Sequence, residues 1–249
     1  MSITSGLAGS TILIAGSSRG IGAAAARLAA AEGAKVLLHG RSAGPALAGL
    51  AEELAAPAIT CDGRDAAAVD AAVGRLLADG HAVDGLVCTL GAVSATPALG
   101  GSTDGWLDEF RANVLAPAHF IRAVAPGMVE RRHGRIVTVS SIRGHDALAH
   151  GDVTAYSAAK AALENLTSIY AKELAPHVTV NAVAPGFVLT DMSRTWSPQV
   201  REEVGRSLLG RAAEPEEIAR LLLVLVSNAA SFLTGQTILA DGGLLARRT

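Results

Sequence analysis

Thr11-Ile-Leu-Ile-Ala15-Gly16-Ser-Ser-Arg-Gly20-Ile-Gly22 runs directly into Ala23-Ala-Ala-Ala-Arg-Leu-Ala-Ala-Ala31, and this stretch decides the fold. Five apolar or β-branched residues without polar alternation read as a strand buried on both faces. The alanine-rich run reads as a helix. Between them, glycines allow a sharp turn and let an anion approach main-chain N–H groups at the helix N-terminus, where the helix adds partial positive charge. The spacing is GxxxGxG rather than GxGxxG. No GxxxxGK[ST] occurs, so a phosphate loop that hydrolyses ATP or GTP is unsupported. A glycine-rich turn without a ligand is the alternative reading of the motif alone.

Outward from this unit the pattern repeats. Residues 35–39, 58–62, 85–90, 135–140, 178–183 and 236–240 read as six further buried strands after 11–15. Helix-length segments lie between them at 20–31, 45–54, 66–78, 103–131, 154–174 and 215–226. Strands alternating with helices imply a parallel sheet covered on both faces, and right-handed crossovers make it doubly wound. No repeat or linker divides the 249 residues, so the expectation is one α/β domain. The region 186–214 lacks strand signal and holds a short amphipathic helix at 198–209; it reads as a lid over a pocket.

Composition narrows the function. Half of the chain is apolar and 18% is charged, which excludes disorder as the default. A net charge of −2 without a basic block argues against nucleic acid, and 3% aromatics leaves little for base stacking. Cys61 and Cys88 have no CxxC spacing, the N-terminus lacks a signal-peptide pattern, and no run of eighteen uncharged apolar residues occurs. The expectation is a cytoplasmic protein that binds no membrane.

Tyr156-Ser-Ala-Ala-Lys160 places a phenol and an ammonium four apart, on one face of a helix. A phenol shuttles protons poorly at neutral pH, and a neighbouring ammonium lowers its pKa. An isolated YxxxK is more often a tyrosine packed beside a surface lysine; here the context reverses that. The turn from Gly16 to Gly22, Asn113 in a long helix, Ser140-Ser141 ending a strand, Tyr156/Lys160 and Pro185-Gly186 occur in one order. That set resembles the short-chain dehydrogenase/reductase family over nearly the whole chain. Asn181-Ala-Val-Ala-Pro-Gly-Phe-Val-Leu-Thr190-Asp-Met and Leu233-Thr-Gly-Gln-Thr-Ile-Leu-Ala-Asp-Gly-Gly243 are most similar to 3-oxoacyl-[acyl-carrier-protein] reductases.

The resemblance implies a single Rossmann-type NAD(P)-binding domain over 1–249, with a doubly wound, seven-stranded parallel sheet and a substrate lid at about 187–213. It implies that Tyr156 exchanges the proton and Ser141 polarises the substrate oxygen. Lys160 holds the nicotinamide ribose, and Asn113 anchors a water that links Lys160 to solvent. It places Gly16, Ser18, Arg19, Gly20, Ile21, Gly22, Arg41, Ser42, Asp62, Gly63, Gly91, Pro185, Gly186, Val188 and Thr190, with Tyr156 and Lys160, against the dinucleotide. Dinucleotide enzymes that prefer NAD place a carboxylate after the second strand. This chain has Gly40-Arg41-Ser42 there, and Arg19 in the turn, an arrangement that selects NADP(H). The alternative is two solvated surface arginines.

Two departures stand out. The family's Asn-Asn-Ala-Gly after the fourth strand is Cys88-Thr-Leu-Gly91 here, which reads as altered loop stability rather than lost catalysis. Ser141 and Tyr156 are fifteen apart, longer than in the acyl-carrier-protein reductases, with the extra length in 144–152. His145 and His150 read as loop histidines rather than metal ligands, and Cys88 as a small buried thiol. Trp196, Leu208 and Leu209 either line an apolar cleft or pack ordinarily; Phe187, Met192 and Trp196 favour an apolar substrate. Small residues in 103–131 and 154–174 suit the helix pairing by which the family forms homo-oligomers, dimers within tetramers. The leading expectation is an NADPH-dependent carbonyl reductase, with 3-oxoacyl thioesters among its substrates. The alternatives are a dehydrogenase of a sugar, polyol or other secondary alcohol, and a non-catalytic nucleotide-binding regulator.

Overall fold

A computed structural model describes residues 6–246. Its seven strands, β1 (Thr11–Ala15), β2 (Lys35–Gly40), β3 (Ala58–Thr60), β4 (Gly85–Cys88), β5 (Gly134–Val139), β6 (Val178–Pro185) and β7 (Thr237–Ala240), form one sheet. All pairings are parallel, in the order β3-β2-β1-β4-β5-β6-β7. The order reverses between β1 and β4, and a crevice opens there at the C-terminal strand ends.

The strand side chains alternate between two cores. Ile12 and Ile14 join α1 (Gly20–Ala31), α2 (Pro45–Leu54) and α8 (Pro215–Val226) on one face. Leu13 and Ala15 join α3 (Ala66–Ala78), α5 (Ala116–Glu130) and the end of α6 (Thr154–Leu174) on the other, around fully buried Phe120. With both faces covered, the central strands β1 and β4 are buried along their whole length, which explains the missing polar alternation there. Among the described residues, no helix is long and apolar enough to cross a membrane.

The helix expected over 103–131 is interrupted. α4 (Thr103–Phe110) passes through a wide π turn at Arg111–Leu115 before α5 begins. Pro117 has no N–H to donate to the carbonyl of Asn113, so the regular i→i−4 ladder fails at that step and the turn widens. Asn113 sits inside it. Strands 58–62 and 85–90 end earlier than expected, at Thr60 and Cys88. The helix expected over 198–209 is also shorter, α7 (Pro198–Gly205).

Candidate active site

The glycine turn packs so closely that side chains would not fit. A Cβ on Gly22 would run into the Gly16 carbonyl oxygen, and Gly16 and Gly20 have φ of +93° and +54°. The N-cap of α1 is Arg19, without a side-chain cap, and its first turn holds no acid. The helix start is left free for an anion. Gly20 faces Thr190: a Cβ there would lie 3.2 Å from Thr190 Cγ2. Residues 170 positions apart are thereby neighbours. A groove of about 580 Å³ runs along this contact, lined by Ser18, Arg19, Gly20, Thr190, Asp191, Ser193 and Arg194 among others. Ile21 packs on the α1 core.

Two groups not anticipated from the sequence hold the turn. The Gly16 N–H donates to His39 Nδ1 at 3.1 Å, so Nε2 carries the proton and donates to the Cys61 carbonyl at 3.0 Å. His39 thereby ties β1, β2 and the end of β3 together, and burial pushes its pKa below 6.5. Thr89 Oγ1 donates to the carbonyls of Ala15 and Gly16, each at 3.1 Å. Threonine and histidine thus do the stitching expected of the missing asparagines. The sequence signals were a histidine ending a mainly apolar strand and the departure at Cys88-Thr-Leu-Gly91.

Across the crevice, β5 delivers Ser140 and Ser141 and α6 delivers Tyr156 and Lys160. Lys160 is buried, and its Nζ donates to the Val139 carbonyl at 2.8 Å while lying 5.7 Å from the centre of the Tyr156 ring. Burial lowers the lysine pKa to about 8, against the raising influence of Cys88, Glu109 and Glu164. Ser141 lies beside the phenol and favours its ionised form. The expectation that Lys160 depresses the Tyr156 pKa is not met. Burial of the phenol dominates and raises it above 10; Ser141 and the Arg143 charge pull the other way. Gly91 brings its backbone under this group: a Cβ there would lie 2.7 Å from Asn113 Oδ1 and 3.2 Å from Lys160 Nζ.

Arg143, also missed from sequence, follows Ser141 by two residues. Its guanidinium donates to Glu203 of α7 at 2.7 Å and to the Leu148 carbonyl at 3.0 Å, and stands 5.6 Å from the centre of the Phe187 ring. Phe187 in turn meets Trp196 edge-on at 5.4 Å. The longer loop is fixed by main-chain bonds of Thr96 with Asp152 and Thr154. Leu208 and Leu209 are more than half exposed and lie against the Gly242-Gly243 turn, while Trp196 packs on Phe187. The side chain of Met192 lies outside the described residues.

Gly186 packs against Asp241, and its N–H donates to the Ala240 carbonyl at 2.9 Å. Buried Val188 bridges to Ala213. Pro185 ends β6. At the other end of the crevice, Asp62 pairs with Arg64 at 2.6 Å, which holds its carboxyl at about 2. The Gly63 carbonyl lies 3.0 Å from His119 Nδ1. Arg19, Arg41 and Ser42 are exposed. Cys88 is buried with a thiol raised to about 12, which suits packing rather than redox chemistry. His145 and His150 pair with Asp146 and Asp152, and no group of residues fit to hold a metal occurs among the described residues.

A doubly wound sheet with an uncapped glycine turn at its switch point, and a serine, a phenol and a buried ammonium opposite, defines an oxidoreductase. A family model described as Enoyl-(Acyl carrier protein) reductase matches residues 15–245. The chain belongs to the short-chain dehydrogenase/reductase family. It is 33% identical to a 3-oxoacyl-[acyl-carrier-protein] reductase of Escherichia coli, over 95% of this chain and 97% of the other. Its fold matches the crystal structure of a putative gluconate dehydrogenase from Agrobacterium tumefaciens with a TM-score of 0.93, 30% identity and 98% of each chain covered. It matches that of a gluconate 5-dehydrogenase from Burkholderia cenocepacia, in complex with NADP and tartrate, at 0.91, 30% and 97% of each.

Proposed function

We propose that the protein reduces a ketone to a secondary alcohol with NADPH, Tyr156 donating the proton. The grouping of Ser141 and Lys160 around Tyr156, with Lys160 and Asn113 against Gly91, carries this reading. The close-packed turn of Gly16, Gly20 and Gly22, with the free helix start, fits the dinucleotide's pyrophosphate. Gly91, Asn113 and Thr190 extend that surface toward the phenol. Once bound, the nicotinamide supplies the hydride. Ser141 donates a hydrogen bond to the substrate oxygen, where negative charge develops. Tyr156, protonated at neutral pH, gives its proton to the same oxygen. Lys160 orients the ribose, and Ser141 and the Arg143 charge favour the phenolate left behind. Asp62, Gly63, Arg41 and Ser42 border the adenosine end, and Val188, Pro185 and Gly186 hold the carboxamide end. The segment 187–213 acts as the lid of this single domain.

For the substrate, a 3-oxoacyl thioester rests on similarity to the acyl-carrier-protein reductases. A sugar acid or polyol rests on the gluconate dehydrogenases and on Arg143, a cation at the cleft. An intact Ser141, Tyr156 and Lys160 argues against a purely regulatory binder, which needs no proton donor. The test is a panel of 3-oxoacyl thioesters, keto-sugars and keto-acids, followed by loss of nicotinamide absorbance. Tyr156→Phe should lower turnover by about 10²–10⁴-fold while nucleotide affinity stays near wild type. Wild-type turnover in that variant would remove Tyr156 from the mechanism.

A further inference from the structure

Glu109, in the last turn of α4, is only 2% exposed. One of its oxygens accepts from the N–H and hydroxyl of Ser94, at 2.6 and 2.5 Å; the other accepts from Asn113 Nδ2 at 2.8 Å. A buried carboxylate is costly, and stability alone would be served as well by an apolar side chain of its size.

Its geometry gives it work. A carboxylate only accepts, so it selects one of the two orientations of the Asn113 amide. The nitrogen turns to Glu109 and to the Ala92 carbonyl at 2.8 Å; the oxygen turns to the Ala92 N–H at 3.3 Å. That places Asn113 Oδ1 and Lys160 Nζ within 2.7 and 3.2 Å of one point above Gly91. The bonds to Ser94 pin the loop that follows Cys88-Thr-Leu-Gly91. We propose that Glu109 is a positioning residue of the catalytic site, which orients Asn113, pins the loop after β4 and sets its carboxylate near Lys160 and Tyr156.

The charged neighbours can be separated. Tyr156 faces Ser141 and Arg143 from the segment after β5 and Glu109 from α4. Lys160 faces Cys88 of β4, Glu109, and Glu164 one turn along α6, itself opposite His145. Glu109 raises the pKa of both the phenol and the ammonium. Removing its charge therefore moves both titrations to lower pH, whichever of them limits turnover at alkaline pH.

The kinetic half of the test rests on the reductase reading; the spectroscopic half does not. The chain has two tyrosines, so Tyr170→Phe leaves Tyr156 as the sole phenol, read by phenolate absorbance without nucleotide or substrate. In that background Glu109→Gln should lower the midpoint by on the order of half a pH unit, and the alkaline limb of reduction should move the same way. Glu109→Asp keeps the charge but draws it back by one methylene. Its midpoint should stay near wild type while turnover falls about tenfold as Asn113 loses its orientation. An unmoved midpoint in folded Glu109→Gln, or wild-type turnover in Glu109→Asp, overturns the proposal. A moved midpoint in a protein that reduces none of the carbonyls tells against the reductase reading and supports the role of Glu109.

Discussion

Arg41 stands exposed where β2 leaves the sheet, with its charge acting on Asp62. Asp62 is already claimed by Arg64, through several bonds of 2.6–3.1 Å between the two side chains. Arg41 therefore keeps its forked donors available for a phosphate, and Arg19 at the start of α1 adds a second cation. A charge-assisted hydrogen bond contributes roughly 1.5–3 kcal/mol, so Arg41→Ala should weaken NADPH binding by about 10–100-fold and leave NADH almost unchanged. The effect should grow at low salt, because an exposed charge is screened. Dissociation constants of both nucleotides, for wild type and variant, decide it. Equal losses, or a wild type that prefers NADH, would show that Arg41 does not read the 2′-phosphate.

At the scale of elements, α7 is tied to the catalytic turn mainly by the pair of Arg143 and Glu203, both largely shielded from solvent. The guanidinium is held over Phe187, which packs on Trp196, so one ion pair joins the floor of the cleft to its cover. Glu203→Gln should raise KM for the carbonyl substrate by several-fold to about tenfold, with nucleotide affinity and kcat little changed. Initial rates across substrate concentration measure this; an unchanged KM would mean that α7 does not depend on the pair. The regular elements were legible in sequence because their signals are local. β1 and the helices at 20–31, 45–54, 66–78, 154–174 and 215–226 have the bounds that apolar pattern and turn residues indicate. The break at Asn113 was not legible: one wide turn barely disturbs a 3.6-residue period, and Pro117 alone also reads as an ordinary helix position. Ser141, Tyr156 and Lys160 were found through ordered motifs. Glu109, His39 and Arg143 were not, because each gains meaning only from partners distant in sequence or held by the fold.

For the whole molecule, His39 makes the closure of the crevice sensitive to acid. It is buried among β1, β2 and β3, its ring tilted against Phe120 at 4.6 Å, and both ring nitrogens are engaged in one tautomer. A second proton on Nδ1 would face the Gly16 N–H and break that bond. Burial holds the folded-state pKa below 6.5, so the unfolded chain takes up the proton first as pH falls. The contribution of His39 is therefore complete above about pH 6.5 and is lost as pH falls from there toward the lowered folded value. A fully expressed difference of one proton costs about 1.4 kcal/mol per pH unit. Urea unfolding should show the wild type more stable than His39→Gln at neutral pH, with the gap narrowing as pH falls below about 6.5. The remaining histidines are common to both chains and cancel in that difference. A gap that stays constant across this range would mean that His39 takes up its proton in the folded protein as readily as in the unfolded chain, and the tautomer that ties Gly16 to Cys61 would have to be abandoned.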